Sequence, residues 1–239
     1  MDRALRLFGY LKYNPKARLA LDPSAPNLET ALFKNEEDWK GLYSDSEEAI
    51  DNDMPEPANV PKLPITVIVD ASHASDLVTR RGVTGFIIVV RKAIICWYSK
   101  QQNTVETLTY SAELVAMRLA MEALLDIRYT LRMMGLKFER TSNILGDNQA
   151  MIMNTTLPSS TLKKKHCSVA YHKCQEMVAC GIVHTAHING NGNIADILTK
   201  PKGPIDYRKY LRRPLYGKYD IAAEGESQKC EEFLNESAT

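Results

Sequence analysis

Ile65-Thr66-Val67-Ile68-Val69 is a run of five β-branched residues that stops at a carboxylate, Asp70. Side chains branched at Cβ fit extended backbone, so the run reads as a strand. Two more strand-like segments follow at 85–90 and 93–98, and the short Arg91-Lys92 connection between them predicts a hairpin. The pattern then changes. Over 109–134, Ala112, Ala116, Leu119, Ala123, Ile127 and Leu131 recur at three- and four-residue spacing, which predicts a long helix. A short strand at 143–146 again ends in a carboxylate, Asp147. A helix at 165–179, a strand at 182–188 and a last helix opened by Asn193 complete the order βββαβαβα. Three antiparallel strands followed by alternating units predict a five-stranded mixed α/β sheet flanked by helices.

This core is expected over 63–201. Before it, residues 1–62 read as a short amphipathic helix, stopped by Asn14-Pro15, and then an acidic linker. After it, residues 202–239 read as a tail, first basic and then acidic. The net charge of +1 is therefore a sum of blocks. Residues 28–57 hold ten acidic and two basic residues, whereas 198–218 hold seven Lys or Arg against Asp206 alone. A basic surface facing a polyanion is compatible with that distribution. No stretch of about 18 apolar residues is present, so no membrane partner is expected. The N-terminus lacks the apolar core of a secretory signal. Five cysteines without paired CxxC spacing suit a reducing compartment. The expected location is intracellular, in cytoplasm, nucleus or a virus-like particle, and not secreted.

Each acid has an ordinary structural role open to it. Asp70 can start a turn, and Asp147, in Gly146-Asp147-Asn148-Gln149, can cap the next helix. Asp196 stands three residues behind Asn193, where an acid complements the helix dipole. Glu113, expected in the first turn of its helix, can do the same. Taken together they say more. Strands ending in Asp70 and Asp147 can be neighbours with both acids at the carboxyl edge of the sheet, where α/β sheets bind ligands. Helices packed on that sheet can bring Glu113 and Asp196 to the same place. Four converging carboxylates repel one another unless cations intervene. Hard oxygen donors suit Mg²⁺, with Mn²⁺ as a substitute, and suit zinc poorly. Two such ions about 4 Å apart promote phosphodiester hydrolysis.

Further segments carry a resemblance. They are Val69-Asp70-Ala71-Ser72, residues 79–85, Trp97-Tyr98-Ser99-Lys100-Gln101-Gln102, Tyr110-Ser111-Ala112-Glu113, Gly146-Asp147-Asn148-Gln149, Leu162-Lys163-Lys164-Lys165-His166 and residues 193–201. In this order they resemble the ribonuclease H region of copia-type LTR retrotransposon Pol polyproteins. The resemblance implies a ribonuclease H-like fold and an endonuclease that cuts the RNA strand of RNA–DNA hybrids during reverse transcription. It also implies that Asp70, Glu113, Asp147 and Asp196 are both catalytic residues and metal ligands. Residues 6–12 resemble the end of a preceding reverse-transcriptase region, which makes the cognate reverse transcriptase a possible partner within a polyprotein. No Tyr-x-Asp-Asp motif is present, so polymerase activity is not expected. Two other readings compete: an inactive or domesticated remnant that only grips nucleic acid, and a transposase or integrase acting on DNA. Such DNA-acting enzymes take a late Glu, whereas here the Glu comes second.

A hybrid is read through 2′-hydroxyls and backbone. The short polar residues Ser72, Ser99, Gln101, Thr109, Ser111, Asn148 and Gln149 are candidates for that task, and Lys163, Lys164 and Lys165 for phosphate contact. The loop 189–192 lacks a histidine, which leaves His187 as the candidate for proton transfer. A zinc site among His166, Cys167, His172, Cys174, Cys180, His184 and His187 is not expected, because the spacing matches no knuckle and His184 and His187, three apart on one strand, point to opposite faces. Methionines 117–134 are expected as core filler.

Overall fold

The β-branched run lies inside the sheet, paired on both sides. In a computed structural model that describes residues 12, 18–33, 38–39, 42–43, 47–162, 165–203 and 210, the strands are β1 (Leu32–Phe33), β2 (Ile65–Ala71), β3 (Val83–Val90), β4 (Ala93–Gln101), β5 (Ser142–Gly146) and β6 (Val183–His187). The helices are α1 (Thr109–Met133), α2 (Gln149–Thr156), α3 (Ser168–Ala179) and α4 (Asp196–Thr199). Contacts gather Pro23–Gly203 into one unit and the terminal segments Met1–Asp22 and Pro204–Thr239 into another. The helix expected within 1–13, the stretch 6–12 and the tail lie outside the described residues, apart from Lys12, Lys202, Gly203 and Tyr210. No helix among the described residues is long and apolar enough to cross a membrane.

The sheet has the order β1-β6-β5-β2-β3-β4. β2, β3 and β4 are antiparallel neighbours, while β5 runs parallel to β2 and β6 parallel to β5. The mixed α/β reading holds, and the hairpin turns at Arg91, which has positive φ (56°). β2 is covered on both faces, with Val67 and Val69 fully buried, as a nearly continuous apolar strand with parallel pairing should be.

Two expectations need correction. The sheet has six strands, not five, because Leu32–Phe33 pairs antiparallel with β6 and closes its edge. The acidic segment thus belongs partly to the fold: Leu28, Ala31 and Phe33 pack on Leu145, Ala186 and Ile188. The connection from β5 to β6 also carries two helices, since α2 precedes the expected α3. α2 is only eight residues long, too short to show periodicity.

On α1 the buried stripe is Ala112, Ala116, Met117, Ala120, Met121 and Leu124, with Leu119, Ala123, Ile127 and Leu131 only partly buried beside it. The helix is wedged between the sheet and α3, so its covered face is wider than one stripe and centred about a residue away from the expected one. Met117 and Met121 fill the core, worth about 1.5–3 kcal/mol each in apolar burial, while Met133 and Met134 are exposed.

Candidate active site

The parallel pairing of β2 with β5 decides the site. Asp70 is the penultimate residue of β2 and Asp147 directly follows β5, so both stand at the same carboxyl edge of adjacent strands. α1 crosses this edge and delivers Glu113 from its second turn, one turn later than the sequence suggested. One oxygen each of Asp70, Glu113 and Asp147 lie within 4.8 Å of one another. Helix capping does not account for Asp147, because the cap of α2 is Asn148, whose Oδ1 accepts from the Met151 N–H at 3.0 Å.

Asp196 is placed differently. It is the first residue of α4, not the third position behind a cap. Its Oδ1 is paired with Lys200 Nζ at 2.6 Å and its Oδ2 with Lys202 Nζ. Lys200 also reaches Asp70 Oδ2 at 3.6 Å, so a lysine links the fourth carboxylate to the other three.

Two of the three clustered acids, Glu113 and Asp70, are raised above the usual carboxylate range. Burial, together with the charges of Asp70 and Asp147, pushes the Glu113 carboxyl up to about 9. Burial also raises Asp70, although the Thr199 hydroxyl and Lys200 oppose it. Asp196 goes the other way: burial would raise it, but hydrogen bonds from Lys200 and Lys202 hold it below the usual carboxylate range. Asp70 Oδ1 is buried with no hydrogen-bond partner. An unpartnered buried carboxylate oxygen is costly, and this carboxylate lies within 4.8 Å of oxygens of Glu113 and Asp147. Hard divalent cations fit that donor set.

The other sequence candidates are spread more widely. Ser72 is buried, accepting from the Val83 N–H at 2.9 Å, and Ser99 donates to the Leu198 carbonyl at 2.6 Å. Gln101 ties the 72–82 loop through Asp76 and Thr79. Ser111 is buried without a hydroxyl partner, while Thr109 and Gln149 are exposed. His187, at the end of β6, sits 3.1 Å from the Asp147 carbonyl and so braces the turn that carries Asp147. Lys163 and Lys164 lie outside the described residues, as does the side chain of Lys165.

Three residues position the site in ways that their sequence context does not show; Asn193 reads there only as a helix opener. Asn193 is fully buried; its Nδ2 donates to the Val69 carbonyl at 3.0 Å and its Oδ1 accepts from the Ala195 N–H at 3.1 Å. It therefore bolts the α4 loop to β2 beside Asp70. Thr199 donates to Asp70. Gly85, the strand partner of Asp70, lets α4 lie against the sheet: a Cβ there would stand 2.6 Å from Thr199 Cγ2 and 2.9 Å from Leu198 Cβ. Motif context alone marked residues 193–201; only packing shows what each one holds. Gly85→Ala is expected to lift α4 and lower stability by about 1–3 kcal/mol. Chemical denaturation would measure this, and an unchanged midpoint would show that α4 yields freely.

No protein-family profile matches the chain. A retrovirus-related Pol polyprotein from transposon TNT 1-94 of Nicotiana tabacum is 30% identical over 144 residues, covering 59% of this chain and 11% of that protein. The corresponding polyprotein from transposon RE2 of Arabidopsis thaliana is 25% identical over 144 residues, covering 60% and 10%. The relatives are transposon Pol polyproteins. The chain spans about a tenth of their length. Among solved structures, the N-terminal RNase H domain of rv2228c from Mycobacterium tuberculosis aligns with a TM-score of 0.46 at 8% identity, covering 64% of this chain and 96% of that one. LC11-RNase H1 in complex with RNA/DNA hybrid aligns at 0.45 and 17%, covering 56% and 93%.

Proposed function

We propose that this chain is the ribonuclease H part of a transposon Pol polyprotein and hydrolyses the RNA strand of RNA–DNA hybrids formed during reverse transcription. The observation that carries the reading is the convergence of Asp70, Glu113 and Asp147 within 4.8 Å, with Asp70 Oδ1 buried and unpartnered. These three residues would hold Mg²⁺ or Mn²⁺, with Asp196 as the fourth donor. When bound, two such ions supply an activated water and neutralise the charge on the leaving oxygen.

The chain's own residues set the geometry. Thr199 donates to Asp70, which fixes that carboxylate. His187 and Asn148 hold the two sides of the Asp147 turn. Asp147 is only partly buried, which leaves the site open on its side toward a polymeric substrate. Lys163, Lys164 and Lys165 are proposed to meet backbone phosphates. The segments before Pro23 and after Gly203 are proposed as flanking arms, with the cognate reverse transcriptase as partner in an intracellular particle.

Incubating the chain with labelled RNA–DNA hybrid, double-stranded RNA and double-stranded DNA, each with Mg²⁺ or Mn²⁺, tests the reading. Cleavage confined to the RNA of the hybrid is expected. Hybrid binding without cleavage would point to a remnant, and cutting of duplex DNA to a transposase or integrase.

A further inference from the structure

We propose that Glu106, His166 and Cys167 form a second metal site, separate from the carboxylate cluster, for a borderline-soft divalent ion of the zinc type. Glu106 lies in the loop between β4 and α1, and His166 and Cys167 in the 3-10 turn that leads into α3. Their donor atoms all lie within 4.8 Å of one another. Glu106 Oε2 faces His166 Nε2 at 3.5 Å and the Cys167 Sγ at 3.8 Å, while Oε1 accepts from Thr104 Oγ1 at 2.8 Å. The Glu106 backbone carbonyl is held in turn by His73 Nε2 at 2.9 Å.

The donor set itself selects the ion. One nitrogen, one oxygen and one sulfur match zinc and its neighbours, and do not match Mg²⁺, which takes oxygen ligands. A thiolate and a carboxylate together balance a divalent charge while the imidazole stays neutral. On binding, the Cys167 thiol releases its proton to solvent as the sulfur–metal bond forms. Cys167 and Glu106 are buried, whereas His166 is 49% exposed, so the ion has a route in on the imidazole side. That side opens onto a cavity of about 310 Å³ lined by Gln102, Asn103, Thr104 and Arg118, with room for a water as fourth ligand. Once filled, the site would pin the loop before α1 to the turn Lys165–Cys167, which follows Lys163-Lys164 in the chain. Sequence spacing hides it, because Glu106 is separated from the His-Cys pair by about sixty residues.

Titration of the full chain with Co²⁺, read by absorption, tests this without any assay of hydrolysis. One equivalent is expected to give a thiolate-to-cobalt charge-transfer band that Zn²⁺ displaces and excess Mg²⁺ does not, since carboxylates alone produce no such band. Cys167→Ser is expected to abolish it. His166→Ala, at a half-exposed position, and Glu106→Gln are expected to weaken Co²⁺ binding by about tenfold or more, with melting temperature checked for each variant. The absence of the band in folded wild type, its persistence in Cys167→Ser, or wild-type affinity in both His166→Ala and Glu106→Gln would overturn the proposal.

Discussion

Glu113→Gln is expected to abolish hybrid hydrolysis and, in EDTA, to make the protein more stable. Loss of a ligand for ions worth several kcal/mol to the transition state corresponds to a drop of at least about 10³-fold in rate. The stability gain has a definite sign. In the folded chain the Glu113 carboxyl titrates at about 9, against 4.5 ordinarily. Between those two values the folded state binds more protons than the unfolded state, so wild type loses stability as pH rises through that window. Glutamine has no proton to lose. Its advantage should therefore be small near pH 5 and on the order of several kcal/mol near pH 8. Thermal melts in EDTA at the two pH values, paired with single-turnover cleavage in Mg²⁺, measure both effects. Equal melting of the two proteins at pH 8 would show that the carboxylates do not strain the metal-free fold.

The second large effect lies away from the site. Glu48→Ala is expected to cost about 3–5 kcal/mol, because it leaves a buried cation without its anion. Arg128 is only 1% exposed and donates to Glu48 through Nε at 2.9 Å and Nη2 at 2.6 Å. It also donates to Ser142 Oγ and the Arg140 carbonyl, and its guanidinium lies 4.7 Å over the Phe138 ring. Arg132 completes the arrangement on the same carboxylate and the same ring. Burial alone would raise the Glu48 carboxyl, but the hydrogen bonds from both arginines bring it down to about 2. The folded state thus holds fewer protons, and this contribution is complete above about pH 4.5 and lost as pH falls toward 2. Urea denaturation of Glu48→Ala should show the loss at pH 7, and Arg128→Met in the same background should recover part of it. A variant as stable as wild type would mean that water reaches Arg128.

Glu48 shows where sequence reading stopped. It lies in an acidic stretch with no periodicity, and nothing local distinguishes it from its neighbour Glu47. Its importance comes from a guanidinium eighty residues away. β1 escaped for a similar reason: two residues carry no alternation, and pairing with β6 alone makes them a strand. The Glu106, His166 and Cys167 group is the same case, assembled from a loop and a turn that are distant in the chain.

Local chemistry settled what local chemistry can. The β-branched run, the two-residue hairpin and the long apolar helix are written in backbone preference and side-chain period, and they appear at nearly the expected residues. So is the placing of Asp70 and Asp147 at the ends of strands. That these strands are parallel neighbours, which brings their acids to one edge, is a property of the sheet and not of either segment. The partners of Asp196 were likewise a tertiary matter. From sequence it was a helix-start acid; in the fold, Asn193 and Gly85 seat α4 against β2 and β3, and lysines from the following residues close on it. Strand and helix identity follow from interactions within a few residues, whereas the company a carboxylate keeps depends on which surfaces pack, and only the whole chain determines that.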